Sequence, residues 1–347
     1  MRTRERLKIG IVAPPWFAVP PERYGGVEWV VSLLADGLAD LGHDVTLHAA
    51  GGSISRAHLD TTFDEPQAHR VGRTLPELEH TLAAWSRSQG FDIVNDHSGM
   101  LGAAMADLCP SPVCHTVHSA LDGESGRIYS LVAQTNPRLR FISLSIKQRE
   151  PLPLLPWLAN CPSALDLDAY PFSPRRGDYL MFLGRMSPDK GAADAIRVAE
   201  AIGMPLKIAG KMHEPHERDY FAHEIAPHLS STIEYVGEVS HLEKVRLLQG
   251  ARCTLFPIDW EEPFCLAMIE AMACGSPVVA TRRGAVDEVI ADGISGLIVD
   301  TVDELAAAVE QADAIDAQWC RDHVEEHFSD RRMVRRYLEA YRAMLDA

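Results

Sequence analysis

Short apolar runs alternate along the chain with longer segments whose apolar positions recur every three or four residues. Residues 7–13 are apolar and β-branched, and Pro14-Pro15-Trp16 stops them. The spacing of Val27, Val30, Val31, Leu34, Leu38 and Leu41 predicts a helix closed by Gly42, and 45–49 reads as the next strand. The glycine pair Gly25-Gly26 joins the first strand to that helix. Further helices are expected at 75–89, 99–108 and 126–134, with strands at 92–95, 113–117, 140–145 and 158–162. Residues 51–73 are polar and carry no period. The order strand, glycine turn, helix, strand predicts a doubly wound parallel sheet.

The pattern then starts again. Residues 171–177 hold two prolines and a basic pair, which suits a hinge. Beyond them, strands are expected at 179–183, 206–209, 233–236, 253–257, 278–280 and 297–299, with helices at 192–202, 242–248 and 303–312. The tail, 331–345, carries Met333, Val334, Tyr337, Leu338, Tyr341 and Leu345 on one face of a basic helix. That stripe suits a closing helix packed on a domain body. A helix lying on a membrane surface is the alternative.

Composition narrows the function. At 347 residues the chain suits two domains, each able to bury a core. Its net charge of -16 makes it a poor binder of nucleic acid or of anionic membrane. Any phosphate must therefore meet local Lys, Arg or backbone N–H groups. Seven cysteines without a close pair suggest reduced thiols in a cytoplasmic protein. Arg2, Arg4, Arg6 and Lys8 precede an apolar run too short for a signal peptide or a membrane span. Neither the spacing of His213, His216, His223 and His228 nor the pair Asp166 and Asp168 reads as a metal site.

The chemistry concentrates in residues 262–280. Pro263 suits a first helical turn, 266–272 is largely apolar, Gly275 and Pro277 end the helix, and 278–280 is a buried strand. Glu270 is the anomaly, a carboxylate on an apolar helix. Continued as helix, the interval from Glu262 to Glu270 spans roughly 12 Å, which suits two hydroxyl-bearing ends of one long ligand. Free N–H groups near Phe264 and Cys265 favour polar or anionic ligand atoms. The plainer alternative is a surface helix with two solvated acids. Upstream, a strand runs into Gly184-Arg185 and then Lys190-Gly191 before a helix. This arrangement suits a diphosphate, Arg185 as a planar fork and Lys190 as a point charge; two surface bases in a loop are the alternative. Lys211, after the next strand, is a further candidate. In the first half, His118 follows a strand end and ranks above His97 and His115.

Glu262, seven residues, Glu270, then Ala-Met-Ala-Cys-Gly-Ser-Pro-Val-Val-Ala resembles the donor-site signature of the family 4 retaining glycosyltransferases. Gly184-Arg185 with Lys190-Gly191, and the Gly25-Gly26 loop, resemble that family's other motifs. The resemblance runs from the Gly-Gly loop to the last turns. It implies the α/β GT-B architecture, two Rossmann-like doubly wound domains facing across a cleft. Residues 1–168 would form the acceptor-side domain and 169–330 the nucleotide-sugar domain, with 331–347 returning to the first. Glu270 would hold the ribose of the donor. Glu262 and the backbone of Phe264, Cys265 and Leu266 would hold sugar hydroxyls. Gly184, Arg185, Lys190 and Lys211 would hold the diphosphate. His118 would contact the donor sugar, and Gly25 and Gly26 would face the donor phosphate and the acceptor. Trp16, Phe17 and Tyr24 would line the acceptor side.

The catalytic set expected is His118, Arg185, Lys190 and Glu262. The resemblance implies metal-independent transfer, with retention, from a nucleotide sugar to a small-molecule or glycan acceptor. UDP-glucose is the expected donor, with a guanosine diphosphate sugar as alternative. Cys265 and Arg283 stand where the family usually has glycine, and Ser163-Ala164-Leu165-Asp166 replaces its Asn-Gly-Ile-Asp. The changes at Cys265 and Arg283 keep open a nucleotide-sugar-binding protein without catalysis; a sugar-nucleotide epimerase or hydrolase of the same shape, which would need an acid–base pair such as His118 with a carboxylate, is the other alternative.

Overall fold

A computed structural model describes residues 6–22 and 25–347, so Arg2, Arg4 and Tyr24 lie outside the described residues. The chain divides into two compact units. One comprises 1–164 with 330–347, and the other comprises 165–329.

The first unit is built on strands β1 (Lys8–Val12), β2 (Asp44–Ala49), β3 (His58–Thr61), β4 (Ile93–Asp96), β5 (Val113–Thr116), β6 (Arg140–Ser143) and β7 (Trp157–Asn160). They pair in the order β3-β2-β1-β4-β5-β6-β7. Every pairing is parallel. Helices α1 (Gly26–Asp40), α2 (Thr74–Ser86), α3 (Met100–Ala104) and α4 (Gly123–Thr135) connect them. The strand order reverses between β1 and β4, and ligands of such sheets gather beyond the carboxyl ends at that point. Val12, Trp85, Val94, Val113, Tyr129 and Phe141 share the buried core on one face.

The second unit repeats the plan with β8 (Tyr179–Leu183), β9 (Leu206–Ala209), β10 (Ile233–Gly237), β11 (Ala251–Phe256), β12 (Val278–Thr281) and β13 (Gly296–Val299). The order is β10-β9-β8-β11-β12-β13, again all parallel, with the reversal between β8 and β11. Its helices are α5 (Ala192–Ile202), α6 (Pro215–Tyr220), α7 (His241–Gln249), α8 (Leu266–Ala273), α9 (Val286–Val289), α10 (Leu305–Gln311) and α11 (Ala317–His327).

Helix α12 (Asp330–Asp346) closes the first unit, burying Met333, Val334, Tyr337, Leu338, Ala340 and Tyr341. It packs on α1 and β7. The contact with α1 needs Gly37: a Cβ there would lie 2.5 Å from Val334 Cγ2. The apolar stripe is thus buried in the arrangement of a closing helix. Among the described residues no helix is long and apolar enough to cross a membrane. All seven cysteines are unpaired.

Three expectations need correction. The polar segment 51–73 contains β3, an edge strand whose mostly exposed side chains give it no apolar period. Helix α11 falls in a stretch with no predicted element; only Ala317, Cys320 and Val324 are buried, and Asp316 caps it through Gln318 N–H. Helix α8 begins at Leu266, not at Pro263. The rise of a helix therefore does not measure the interval from Glu262 to Glu270. Asp166, for its part, accepts from Asp168 N–H at 3.0 Å in a short 3₁₀ turn, a local role for that acidic pair.

Gly37→Leu should cost about 2 kcal/mol through overpacking against Val334, read as a lower urea midpoint with unchanged slope. An unchanged midpoint would contradict the close α1–α12 contact.

Candidate active site

In the second unit the expected residues lie beyond the carboxyl ends of β8, β9 and β11, on either side of the strand-order reversal. Glycine makes the assembly possible. Gly191 has φ 78°, and a Cβ on it would overlap the carbonyl of Pro257. The turn carrying Lys190 is thereby pressed onto the end of β11. Gly284 has φ 52°, and a Cβ there would strike the backbone of Glu262. Ala285 N–H donates to the Glu262 carbonyl at 2.8 Å, so the loop holding that carboxylate is clamped from both sides.

Glu262 is buried, and its Oε2 accepts from Lys190 Nζ and, at 3.0 Å, from Trp260 Nε1. Lys190 also stands 4.5 Å above the Trp260 ring. A buried carboxylate is tolerable only when paired in this way. Glu270 is likewise buried. Its Oε1 accepts from Lys244 Nζ at 2.5 Å and Tyr170 Oη at 2.6 Å. Burial and Glu270 together push the Tyr170 hydroxyl up, so it remains a donor. Glu270 is thus no solvated surface acid. One of its oxygens is already committed, which leaves Oε2 for any ligand hydroxyl.

Arg185 lies 3.4 Å from Asp189 and 3.7 Å from Glu217. Glu217 is fully buried. Its Oε2 accepts from the N–H groups of His213 and Glu214 at 2.7 and 3.1 Å, and its Oε1 has no hydrogen-bond donor. That oxygen is the one facing Arg185. Burial lowers the pKa of Lys211, with Glu217 opposing and Arg185 reinforcing the shift. Lys211, Arg185 and Glu217 therefore share one electrostatic neighbourhood. Gly184 and Gly210 also meet closely, since a Cβ on Gly210 would overlap the Gly184 carbonyl.

Cys265 caps α8 with φ 64° and ψ 85°, the left-handed region that glycine prefers. Burial, then Glu262, push its thiol up to about 12, so it is no thiolate nucleophile. Phe264 is buried against Phe328, ring centroids 5.5 Å apart, which leaves only its backbone for a ligand. Leu266 is half-buried at the first position of α8.

In the first unit, Gly25 has φ 150°, and a Cβ there would come within 2.8 Å of Pro21 and 2.9 Å of Glu28 Oε2. Gly26 is the first residue of α1. His118 is half-buried beyond β5, and its Nε2 lies 2.9 Å from His97 Nδ1. Burial, with His115 adding to it, lowers the His118 pKa to about 3. His115 itself is fully buried between Asp96 at 2.6 Å and the Tyr129 hydroxyl at 3.0 Å.

Trp260, Lys244, Tyr170 and Glu217 were not expected. Tyr170 and Lys244 reach Glu270 from 100 and 26 residues away, a pairing no spacing rule carries. Glu217 had a local signal, Glu214-Pro215-His216-Glu217, which forms a capping box. Among the described residues no group of three or more His, Cys, Asp or Glu side chains is placed to hold a metal ion.

Two doubly wound parallel units, one with paired acids and bases at its strand-order reversal, have the fold of the GT-B glycosyltransferases. Residues 170–317 match the model for glycosyl transferases group 1, and 24–161 match that for glycosyltransferase family 4. The chain belongs to the family 4 glycosyltransferases. A glycogen synthase of Mycobacterium tuberculosis is 25% identical over 346 residues, covering 84% of this chain and 83% of the relative. A phosphatidyl-myo-inositol mannosyltransferase of Mycolicibacterium smegmatis is 27% identical over 335 residues, covering 87% and 84%. Among solved structures, AviGT4, a glycosyltransferase involved in avilamycin A biosynthesis, superposes with TM-score 0.73 at 26% identity, covering 98% of each chain. Anabaena HepE, crystallised with UDP and glucose, gives TM-score 0.77 at 16% identity, covering 96% and 99%.

Cys265→Val should cost about 2 kcal/mol, because a β-branched residue resists φ 64°. Cys265→Gly should stay within about 1 kcal/mol of the parent, since relief of strain and gained chain entropy oppose each other. Equal stabilities in urea would contradict the strained cap.

A second expectation concerns acid. Burial lowers the pKa of His80 to about 4, and that of His97 falls well below its ordinary value. The unfolded chain binds these protons near pH 6.5. Their contribution is therefore complete above about pH 6.5 and is lost as pH falls towards 4, by up to about 1.4 kcal/mol per pH unit for each histidine. His80→Gln, which keeps a donor for the Ala13 carbonyl that His80 Nε2 reaches at 2.9 Å, should flatten that slope. A parent protein whose stability is level from pH 7 to pH 4 would contradict the assignment.

Proposed function

We propose that the protein transfers a sugar from a nucleotide-diphosphate sugar to a small-molecule or glycan acceptor, with retention at the anomeric carbon. The observation that carries this reading is the set of acids and bases at the β8–β11 reversal. Glu270 offers Oε2 to the ribose hydroxyls. Arg185, Lys190 and Lys211 supply positive charge to the diphosphate inside an otherwise acidic protein. Glu262, fixed by Lys190 and Trp260, and the backbone of Phe264, Cys265 and Leu266 take the sugar hydroxyls. The UDP and UDP-glucose complexes of HepE support a uridine diphosphate sugar, and glucose is the preferred sugar.

In the proposed step the bond from the anomeric carbon to the diphosphate oxygen breaks, and the acceptor oxygen bonds to that carbon on the same face. The electron pair leaves with the diphosphate, and the acceptor proton passes to a phosphate oxygen. Charge therefore builds on the diphosphate, where preorganised donors have their largest effect. Arg185, oriented by Glu217 and Asp189, is placed to meet it. We assign the second unit to the donor, and the first, through His118 and Gly25-Gly26, to the sugar and the acceptor. The seven unpaired cysteines favour a cytoplasmic setting.

Incubation with a panel of nucleotide sugars tests the reading. Release of uridine diphosphate coupled to glycosylation of an acceptor, with the α-configured donor giving an α-linked product, supports it. Arg185→Ala should lose about 2–4 kcal/mol of transition-state stabilisation, measured as kcat/KM. A folded R185A protein of unchanged efficiency would remove Arg185 from the diphosphate. Donor binding without transfer to any acceptor would leave a binding protein, and turnover without an acceptor would leave a hydrolase or epimerase.

A further inference from the structure

The histidine pair beyond β4 and β5 is the end of a hydrogen-bond chain whose direction can be worked out from its far end. That end is the carbonyl of Cys114, which can only accept. Asn95 approaches it at 3.2 Å, so the amide nitrogen of Asn95 must lie there. The same nitrogen donates to Thr116 Oγ1 at 3.0 Å, and the Thr116 oxygen lies 3.4 Å from the Tyr337 hydroxyl. Asn95 Oδ1 therefore points the other way and can only accept. Two groups reach it, the Tyr341 hydroxyl at 2.6 Å and His97 Nε2 at 3.0 Å. Both must donate, which places the His97 proton on Nε2.

His97 is buried, and burial together with His118 and His115 keeps it neutral. Its Nδ1 then carries a lone pair. The partner of that lone pair, at 2.9 Å, is His118 Nε2, which must donate in turn. No step in this chain is free to reverse without leaving the Cys114 carbonyl facing an oxygen lone pair. The nearby charged groups do not compete, because Asp96 is spent on His115 at 2.6 Å and on the N–H and hydroxyl of Ser98 at 2.9 and 2.6 Å.

We propose that Asn95, His97 and Tyr341 are positioning residues that fix His118 as its Nε2–H tautomer, so that Nδ1 meets substrate as a hydrogen-bond acceptor. Among the described residues no protein donor reaches that nitrogen. His118 Nδ1 thus accepts a hydrogen bond from a ligand hydroxyl and has no proton to donate to it, which removes it from service as a general acid. The identity of that hydroxyl, on the donor sugar, rests on the proposed function; the tautomer does not. Part of the control comes from α12, through a tyrosine 246 residues from Asn95 in sequence.

The test is nitrogen NMR on the full-length protein labelled with ¹⁵N-histidine, with the His118 signals identified by their loss in H118Q. A pyrrole-type Nε2 and a pyridine-type Nδ1 on His118 are expected; a proton on Nδ1 would overturn the proposal. Two variants add a functional readout. H97N keeps an acceptor at the Nδ1 position, and H97F keeps the ring without one. H97N should hold the His118 tautomer and stay within about threefold of the parent kcat/KM for the nucleotide sugar. H97F should release the tautomer and lose about tenfold in kcat/KM, the scale of one directed hydrogen bond, while its Kd for bare nucleotide diphosphate is unchanged. If H97F matches H97N in both tautomer and kcat/KM, the positioning role is wrong. If H97F does not fold, the tautomer in the parent protein decides alone. A protein that transfers no sugar but shows Nε2–H on His118 would contradict the proposed function and leave this inference standing.

Discussion

Three buried carboxylates, Glu217, Glu262 and Glu270, set the terms for everything around them. Removing an ionised carboxylate from water costs several kcal/mol unless cations and hydrogen-bond donors replace the lost hydration. Each of the three meets this requirement differently. Glu262 has Lys190 and the Trp260 indole, and Glu270 has Lys244 and the Tyr170 hydroxyl. Glu217 has two backbone N–H groups on one oxygen and the Arg185 guanidinium, at ion-pair distance, facing the other. Arg185, Lys190 and Lys244 are therefore held in place by acids of the protein itself. A chain with net charge -16 can in this way keep three cations ordered within one unit.

Glycine enforces the same geometry from the backbone. Two of the departures from the family pattern can be judged on it. At 283–284 only the second position needs glycine, because a Cβ on Gly284 would strike Glu262; Arg283 sits at the surface 3.4 Å from Asp259. The missing glycine there leaves the clamp on Glu262 intact. At 265 the backbone keeps the left-handed conformation although the residue is cysteine. The surrounding structure imposes that conformation, at a cost in strain on the order of 1–2 kcal/mol.

Most of the fold was legible in the sequence because parallel sheets bury both faces and so write themselves as short apolar runs. β1, β8 and β12 are of this kind. β3 escaped because an edge strand with mostly exposed side chains has no such signature, and α11 because only three of its residues are buried. At the candidate site, Glu270, Arg185 and Lys190 stood out in the sequence, since an acid on an apolar helix and bases after a strand are local anomalies; Glu262 was reached only through its spacing from Glu270. Their partners were not legible. Tyr170 meets Glu270 across 100 residues, and Tyr341 meets Asn95 across 246. Such contacts are products of the folded topology. The helix start was misjudged for a related reason: Pro263 suits a first turn, but Cys265 turns the chain left-handed, and the helix begins only after it.

The central claim is that the charge-paired acids of the second unit form a nucleotide-sugar site. A crystal structure of the protein with uridine diphosphate tests it most directly. The diphosphate should lie against Arg185 and Lys190, and the ribose hydroxyls should sit on Glu270 Oε2 while Tyr170 and Lys244 keep Oε1. Nucleotide bound elsewhere, with Arg185 and Glu270 untouched, would contradict it.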